Sequence, residues 1–153
     1  MCRFEFIQFV PASLDVVWEF FSSPSNLAKI TPPEMGFSIT SPSQPEMYPG
    51  MFIKYKVSPA LGIKLEWVTE ITQVNSKKFF IDEQRRGPYS IWHHEHHFKA
   101  VEGGVEMHDK LYYQVPFGFL GSLADLFFVQ NKVKQIFSFR EKRILEFYPT
   151  TSK

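Results

Sequence analysis

Apolar and polar positions alternate along most of this chain, with a longer apolar period near its end. Phe4 to Val10 predicts a first strand, closed by Pro11. Ser13 then caps a helix that gathers Val16, Val17, Phe20 and Phe21 on one side. Pro24, Pro32 and Pro33 cut the next stretch into short pieces, with a second short turn of helix at Asn26 to Ile30. Three prolines between Pro42 and Pro49 predict a loop.

Further strands come next, separated by turn signals. Met51, Ile53, Tyr55 and Val57 alternate with Phe52, Lys54 and Lys56; Ile63, Leu65, Trp67, Thr69 and Ile71 alternate with Lys64, Glu66, Val68, Glu70 and Thr72. Pairing Tyr55 with Leu65 joins the two apolar sets and sets Lys54 opposite Glu66. Asn75-Ser76 and Gly87-Pro88 mark turns around a strand from Lys78 to Arg85. Tyr89 to Ala100 and Val105 to Val115 form a last hairpin about Glu102-Gly103. Pro116 to Gly121 is a loop in which Phe117, Phe119 and Leu120 resemble a gate. Ser122 to Asp125 gives a capping signal for a helix to about Phe147. Its apolar residues, from Leu123 through Val133, Ile136, Phe137 and Ile144, lie mostly on one face, with Lys132, Lys134, Arg140 and Lys142 largely off it.

This order predicts an α+β fold. A curved antiparallel sheet of about six to seven strands wraps a long C-terminal helix, with two short helices after the first strand. A sheet curled on a helix leaves a cavity between them.

Composition narrows the setting. A chain of 153 residues suits one domain, here residues 1–149 with a tail at 150–153. It has no long apolar run, so no stable membrane insertion is expected. Its N-terminus lacks the charged and apolar regions of a signal peptide. A single cysteine, Cys2, fits a reducing compartment, and a cytoplasmic location is expected. The net charge of +1, with no basic stripe, argues against nucleic acid as a partner. Nothing in the sequence fixes an oligomeric state. Phenylalanine occurs 17 times, enough ring surface to fill a core or line an apolar pocket.

The chemistry gathers in WHHEHHF, Trp92 to Phe98. Strand alternation sends Trp92, His94, His96 and Phe98 to one face and His93, Glu95 and His97 to the other. A two-residue turn at Glu102-Gly103 sets His96 opposite Asp109, His94 opposite Leu111 and Trp92 opposite Tyr113. The outer face then pairs His97 with His108 and Glu95 with Lys110. The inward group is His94, His96 and Asp109. Asp82 and Gln84 join it only if their strand turns them inward, and a different turn would send Ile81 and Glu83 there instead.

The stretches VWEFF (Val17 to Phe21), Asn26-Leu27, ITPP (Ile30 to Pro33), GIKLEW (Gly62 to Trp67), FIDEQRRGP (Phe80 to Pro88), WHHEHHF, Gly103-Gly104, PFGFLG (Pro116 to Gly121) and IFSFR (Ile136 to Arg140) resemble the START-like, or polyketide cyclase/dehydrase, superfamily. Within it the chain looks like the bacterial ligand-binding, cyclase/dehydrase-like group. The resemblance implies a helix-grip fold with a hydrophobic cavity under the C-terminal helix, and it implies no particular reaction.

Several readings remain. An apolar cavity with a few orienting polar groups would bind a small hydrophobic molecule, with Trp67, Asp82, Gln84, Trp92, His94, His96, Asp109, Tyr113 and Phe117 around it. A carboxylate beside an imidazole could instead serve acid–base chemistry of the cyclase or dehydrase kind, with His94, His96 and Asp109 as the catalytic candidates. No cofactor is expected. No metal is expected either, although His94, His96 and Asp109 are of ligating type. Arg85-Arg86 could hold an anionic head at the cavity mouth. The plain alternative for the inward His and Asp is a hydrogen-bonded cluster inside a filled core.

Overall fold

The computed structural model describes residues 1–42, 44–58, 63–118, 121 and 125–149. Seven strands run in sequence: β1 (Cys2–Val10), β2 (Ser38–Ile39), β3 (Met51–Val57), β4 (Leu65–Asn75), β5 (Phe79–Arg86), β6 (Ile91–Val101) and β7 (Gly104–Gln114). They form one sheet in the order β1-β7-β6-β5-β4-β3-β2, antiparallel at every step. Between β1 and β2 lie helix α1 (Leu14–Phe21) and two 3-10 segments, Pro24–Ile30 and Pro33–Met35. The Ser13 side chain accepts from the Val16 N–H at the start of α1, as its sequence signal predicts.

After β7 come one turn of π-helix (Asp125–Val129) and helix α2 (Gln130–Phe147). The 18 residues of α2 span about 27 Å, at about 1.5 Å per residue. The predicted capping signal at Ser122, and the gate residues Phe119 and Leu120, lie outside the described residues. Val133, Phe137 and Ile144 are buried on one stripe of α2. Phe137 stacks on Phe6 of β1 with centroids 3.9 Å apart, which ties the helix to the sheet edge.

The β6–β7 pairing is the one the two-residue turn predicts: Trp92 faces Tyr113, His94 Leu111, His96 Asp109 and His97 His108. Gly103 supplies the left-handed backbone of that turn, at φ 78°. The β3–β4 register differs from expectation by two residues. Tyr55 pairs with Trp67, Lys54 with Val68 and Lys56 with Glu66. A shift of two keeps every side chain on its face and alters only the partners, so the alternation of apolar residues cannot detect it.

Strand β5 resolves the open question of facing. A register shift in β4 between Ile71 and Gln73 aligns Asp82 with the buried Ile71 and with His94. Asp82 therefore turns inward, and Ile81 alternates to the side of Glu95.

Candidate functional site

A cavity of about 170 Å³ lies between the inner faces of β3 to β6, the first 3-10 segment and α2. Its wall is largely aromatic and aliphatic. Trp67 and Trp92 meet edge to face at 5.1 Å, and Tyr55 stacks on Trp67 at 5.8 Å. The Tyr55 hydroxyl lies 3.0 Å from Thr69 Oγ1, and burial raises its pKa.

One side of the cavity is charged. Nε2 of His94 is 3.0 Å from Oδ1 of Asp109, and Nε2 of His96 is 2.9 Å from Oδ2 of Asp82. Nδ1 of His94 is 3.5 Å from the same Asp82 oxygen. Nδ1 of His96 is 2.8 Å from Oδ1 of Asp109, a close ion contact whose angle does not make a hydrogen bond. The two imidazoles sit 3.8 Å apart at their centroids. His94, His96 and Asp109 are all buried, and Asp82 is slightly more open.

Burial opposes charge on every one of these groups; mutual contacts outweigh it at three of them, and at His94 burial prevails. At Asp109, burial acts upward, but the two imidazoles outweigh it and hold the carboxyl well below the ordinary range. Asp82 is lowered in the same way, against burial, by His96 and His94. His96 is raised, because the nearby carboxylates overcome the burial that opposes its charge. His94 is lowered by burial and by the neighbouring His96 charge. Together these contacts favour ionised carboxylates at Asp82 and Asp109, and favour the charged form at His96 more than at His94.

Arg140 completes the cluster from α2, with Nη1 3.9 Å from Asp109 Oδ1 and its guanidinium 4.9 Å from the Phe137 ring centre. Its side chain is only 12 % exposed. The sequence pattern sets Arg140 off the apolar face of the helix, and the structure corrects this. It continues the buried stripe of Val133 and Phe137 toward Ile144. The spacing is visible in the sequence, three residues after Phe137 and four before Ile144, but a basic residue there reads as solvated.

Of the residues singled out in the sequence, Trp67, Asp82, Trp92, His94 and His96 line the cavity. Asp109 sits behind the two imidazoles. Tyr113 is fully buried in a second apolar cluster with Leu111, Val133 and Phe137. Gln84 is tied to the backbone of Tyr89: its Nε2 donates to the Tyr89 carbonyl at 2.6 Å, and its Oε1 accepts from the Tyr89 N–H at 3.3 Å. Phe117 projects into solvent at 83 % exposure. Arg85 pairs with Glu70 and Glu83, and Arg86 with Glu66. His93 and His97 contact Glu95, His93 also Glu83, and His108 contacts Glu5, all apart from the buried group.

Solved structures share this architecture at low sequence identity. Protein CV1439 from Chromobacterium violaceum superposes with a TM-score of 0.72 at 15 % identity, over 97 % of this chain and 98 % of its own. Protein Ms6760 from Mycobacterium smegmatis gives 0.70 at 16 %, over 98 % and 92 %. Ara h 8.0201 gives 0.60 at 14 %, over 95 % and 98 %. The chain has the helix-grip fold. No protein-family model and no curated protein sequence matches it. Among the described residues no helix is long and apolar enough to cross a membrane. The likeness extends to the fold and carries no reaction or ligand with it.

Proposed function

We propose that this helix-grip domain binds a small, mainly hydrophobic molecule in the cavity, with its polar end toward Arg140 and the His–Asp cluster. One observation supports this above the rest. Trp67 and Arg140 line the cavity and carry buried N–H groups (Nε1 of Trp67; Nε and Nη1 of Arg140) with no hydrogen-bond partner among the described residues. A buried donor without an acceptor costs about 1–3 kcal/mol. A ligand oxygen would relieve that cost, while the aromatic wall takes the apolar body. The cavity of about 170 Å³ lies below the roughly 300–1,000 Å³ of sites for drug-sized molecules, so a compact ligand fits best.

Native mass spectrometry of the purified protein, with a titration of C6 to C10 alkanoates followed by thermal unfolding, tests the reading. A retained small-molecule mass, or stabilisation that rises with chain length and then stops, supports it. A bare protein mass with no alkanoate-induced shift overturns it.

A second reading rests on a different observation: His94 and His96 share the same two carboxylates, yet burial and the neighbouring His96 charge lower His94 while the carboxylates raise His96. Paired groups pushed apart in this way suit an acid and a base in one site, as a cyclase- or dehydrase-type enzyme would need. Such an enzyme would keep ligand binding and lose turnover by orders of magnitude in a His96→Gln variant.

A further inference from the structure

Asp82, His94 and His96 each offer one ligating atom, and these atoms all lie within 4.8 Å of one another. We infer that Asp82 Oδ2, His94 Nδ1 and His96 Nε2 form a binding site for one first-row divalent transition-metal ion, with Asp109 as the carboxylate that orients His94 by a hydrogen bond and His96 by a close ion contact.

The geometry carries this in three ways. Bonds of about 2.0–2.2 Å to nitrogen and oxygen put neighbouring ligand atoms roughly 3.0–3.5 Å apart around a tetrahedral or octahedral ion. Asp82 Oδ2 is 2.9 Å from His96 Nε2 and 3.5 Å from His94 Nδ1, so both separations from the carboxylate already have nearly that size.

The second argument concerns which nitrogen is free. His94 donates Nε2–H to Asp109, and a neutral imidazole then presents a bare lone pair at Nδ1. That lone pair faces the Asp82 carboxylate at 3.5 Å. Two acceptors confront each other, and a cation between them turns repulsion into coordination.

The third concerns the outer layer. Metal-bound histidines characteristically direct their second nitrogen to a carboxylate or carbonyl, which fixes the ring. Here one oxygen of Asp109 lies 3.0 Å from His94 Nε2 and 2.8 Å from His96 Nδ1, each the nitrogen that points away from the proposed ion. The sequence suggests Asp109 as a ligating type; the structure puts Asp82 in the ligand position and Asp109 behind.

Two imidazoles and one carboxylate on one side leave the remaining positions of the ion open, and this donor set suits Zn²⁺ or Fe²⁺. Arg140 and Lys132 also face the cavity. With Asp82 and Asp109 balancing the ion and Glu34 paired with Lys132, Arg140 leaves an excess of positive charge, which suits an anionic oxygen as the next ligand. The site needs only the named side chains and does not depend on a hydrophobic molecule filling the cavity.

The test uses the intact protein after chelator dialysis. Zn²⁺ is titrated calorimetrically, Co²⁺ by its visible absorption, and histidine ¹⁵N spectra are recorded with and without Zn²⁺. One ion per chain should bind, and the ¹⁵N signals of His94 Nδ1 and His96 Nε2 should move. Asp82→Asn should weaken binding at least tenfold, Asp109→Asn about 10–100-fold, and the double variant His97→Ala/His108→Ala not at all. The wild-type spectra stand even if a buried variant fails to fold. The inference is overturned if no ion binds, if the ¹⁵N changes fall on His97 and His108, or if the His97/His108 variant abolishes binding.

Discussion

Nε2 of His94 lies 3.0 Å from Oδ1 of Asp109, and both side chains are more than nine-tenths removed from solvent. A buried charge held this way is costly to orphan. Asp109→Ala leaves His96 and Arg140 with Asp82 as their one remaining counter-charge in the cluster and should cost about 3–5 kcal/mol. Asp109→Asn, which keeps the shape and one acceptor, should cost less. Urea unfolding followed by tryptophan fluorescence measures both. A loss below about 1 kcal/mol in the alanine variant, against that expectation, would show that the carboxylate is not ionised in the folded protein.

Stability of the metal-free protein should pass through a maximum in pH. Asp82 and Asp109 titrate below their ordinary range when folded, so their contribution is present above about pH 4 and is lost as pH falls through the folded values. His94 is lowered below 6.5, so the unfolded chain takes up its proton first and stability falls as pH drops below that point. His96 is raised above 6.5, so its contribution is complete below 6.5 and is lost as pH rises through the folded value. Unfolding free energies from pH 3 to 9 should therefore decline on both sides of near-neutral pH. In His96→Gln the alkaline decline should shrink. An unchanged alkaline limb would assign it to some other group.

Arg140 separates binding from stability. Its guanidinium gains a ring contact and a 3.9 Å ion contact, while two of its nitrogens lack hydrogen bonds among the described residues. Arg140→Met keeps much of the packing volume and removes the unsatisfied donors. Its unfolding free energy should stay within about 1 kcal/mol of wild type, while alkanoate affinity should fall tenfold or more. Arg140→Lys should not restore affinity, because an ammonium lacks the flat fork of donors. Equal affinity in all three proteins would remove Arg140 from the ligand site.

The hairpin between β6 and β7 has one position where no side chain fits. A Cβ at Gly104 would lie 2.2 Å from the carbonyl oxygen of Val10 and 2.9 Å from the Phe9 ring. Gly104→Ala should destabilise by about 1–3 kcal/mol by forcing β1 away from β7. Loss of amide protection in residues 2–10 would locate the damage. Normal protection there would mean that the strands shift without cost.

How much of this is legible in the sequence depends on which physical rule governs each part. The pairing of His96 with Asp109 follows from a two-residue turn and strict alternation, both local, and the sequence carries it. The inward turn of Asp82 depends on a register shift in the neighbouring strand, at Ile71 and Gln73, which leaves no mark in the β5 sequence. The β3–β4 partners differ from expectation by two because alternation is blind to even shifts. Arg140 is hidden because its charge outweighs its spacing, while its apolar neighbours in the buried stripe are plain. The candidate site is thus partly legible, with its two imidazoles and rear carboxylate in view, its front carboxylate named but with its facing open, and its guanidinium concealed.

The antiparallel partnership of β1 and β7 also governs how the molecule comes into being. Cys2 pairs with Tyr113 and Val10 with Val105, so β1 leaves the ribosome long before the strand it must join. Contacts spanning about a hundred residues close slowly, because the loop between them must be ordered before they form. Until β1 docks, one edge of β7 stands open, and β7 is the strand that carries Asp109. A growing chain would therefore hold the cluster's rear carboxylate on an unprotected edge, where pairing with another nascent chain competes with correct closure.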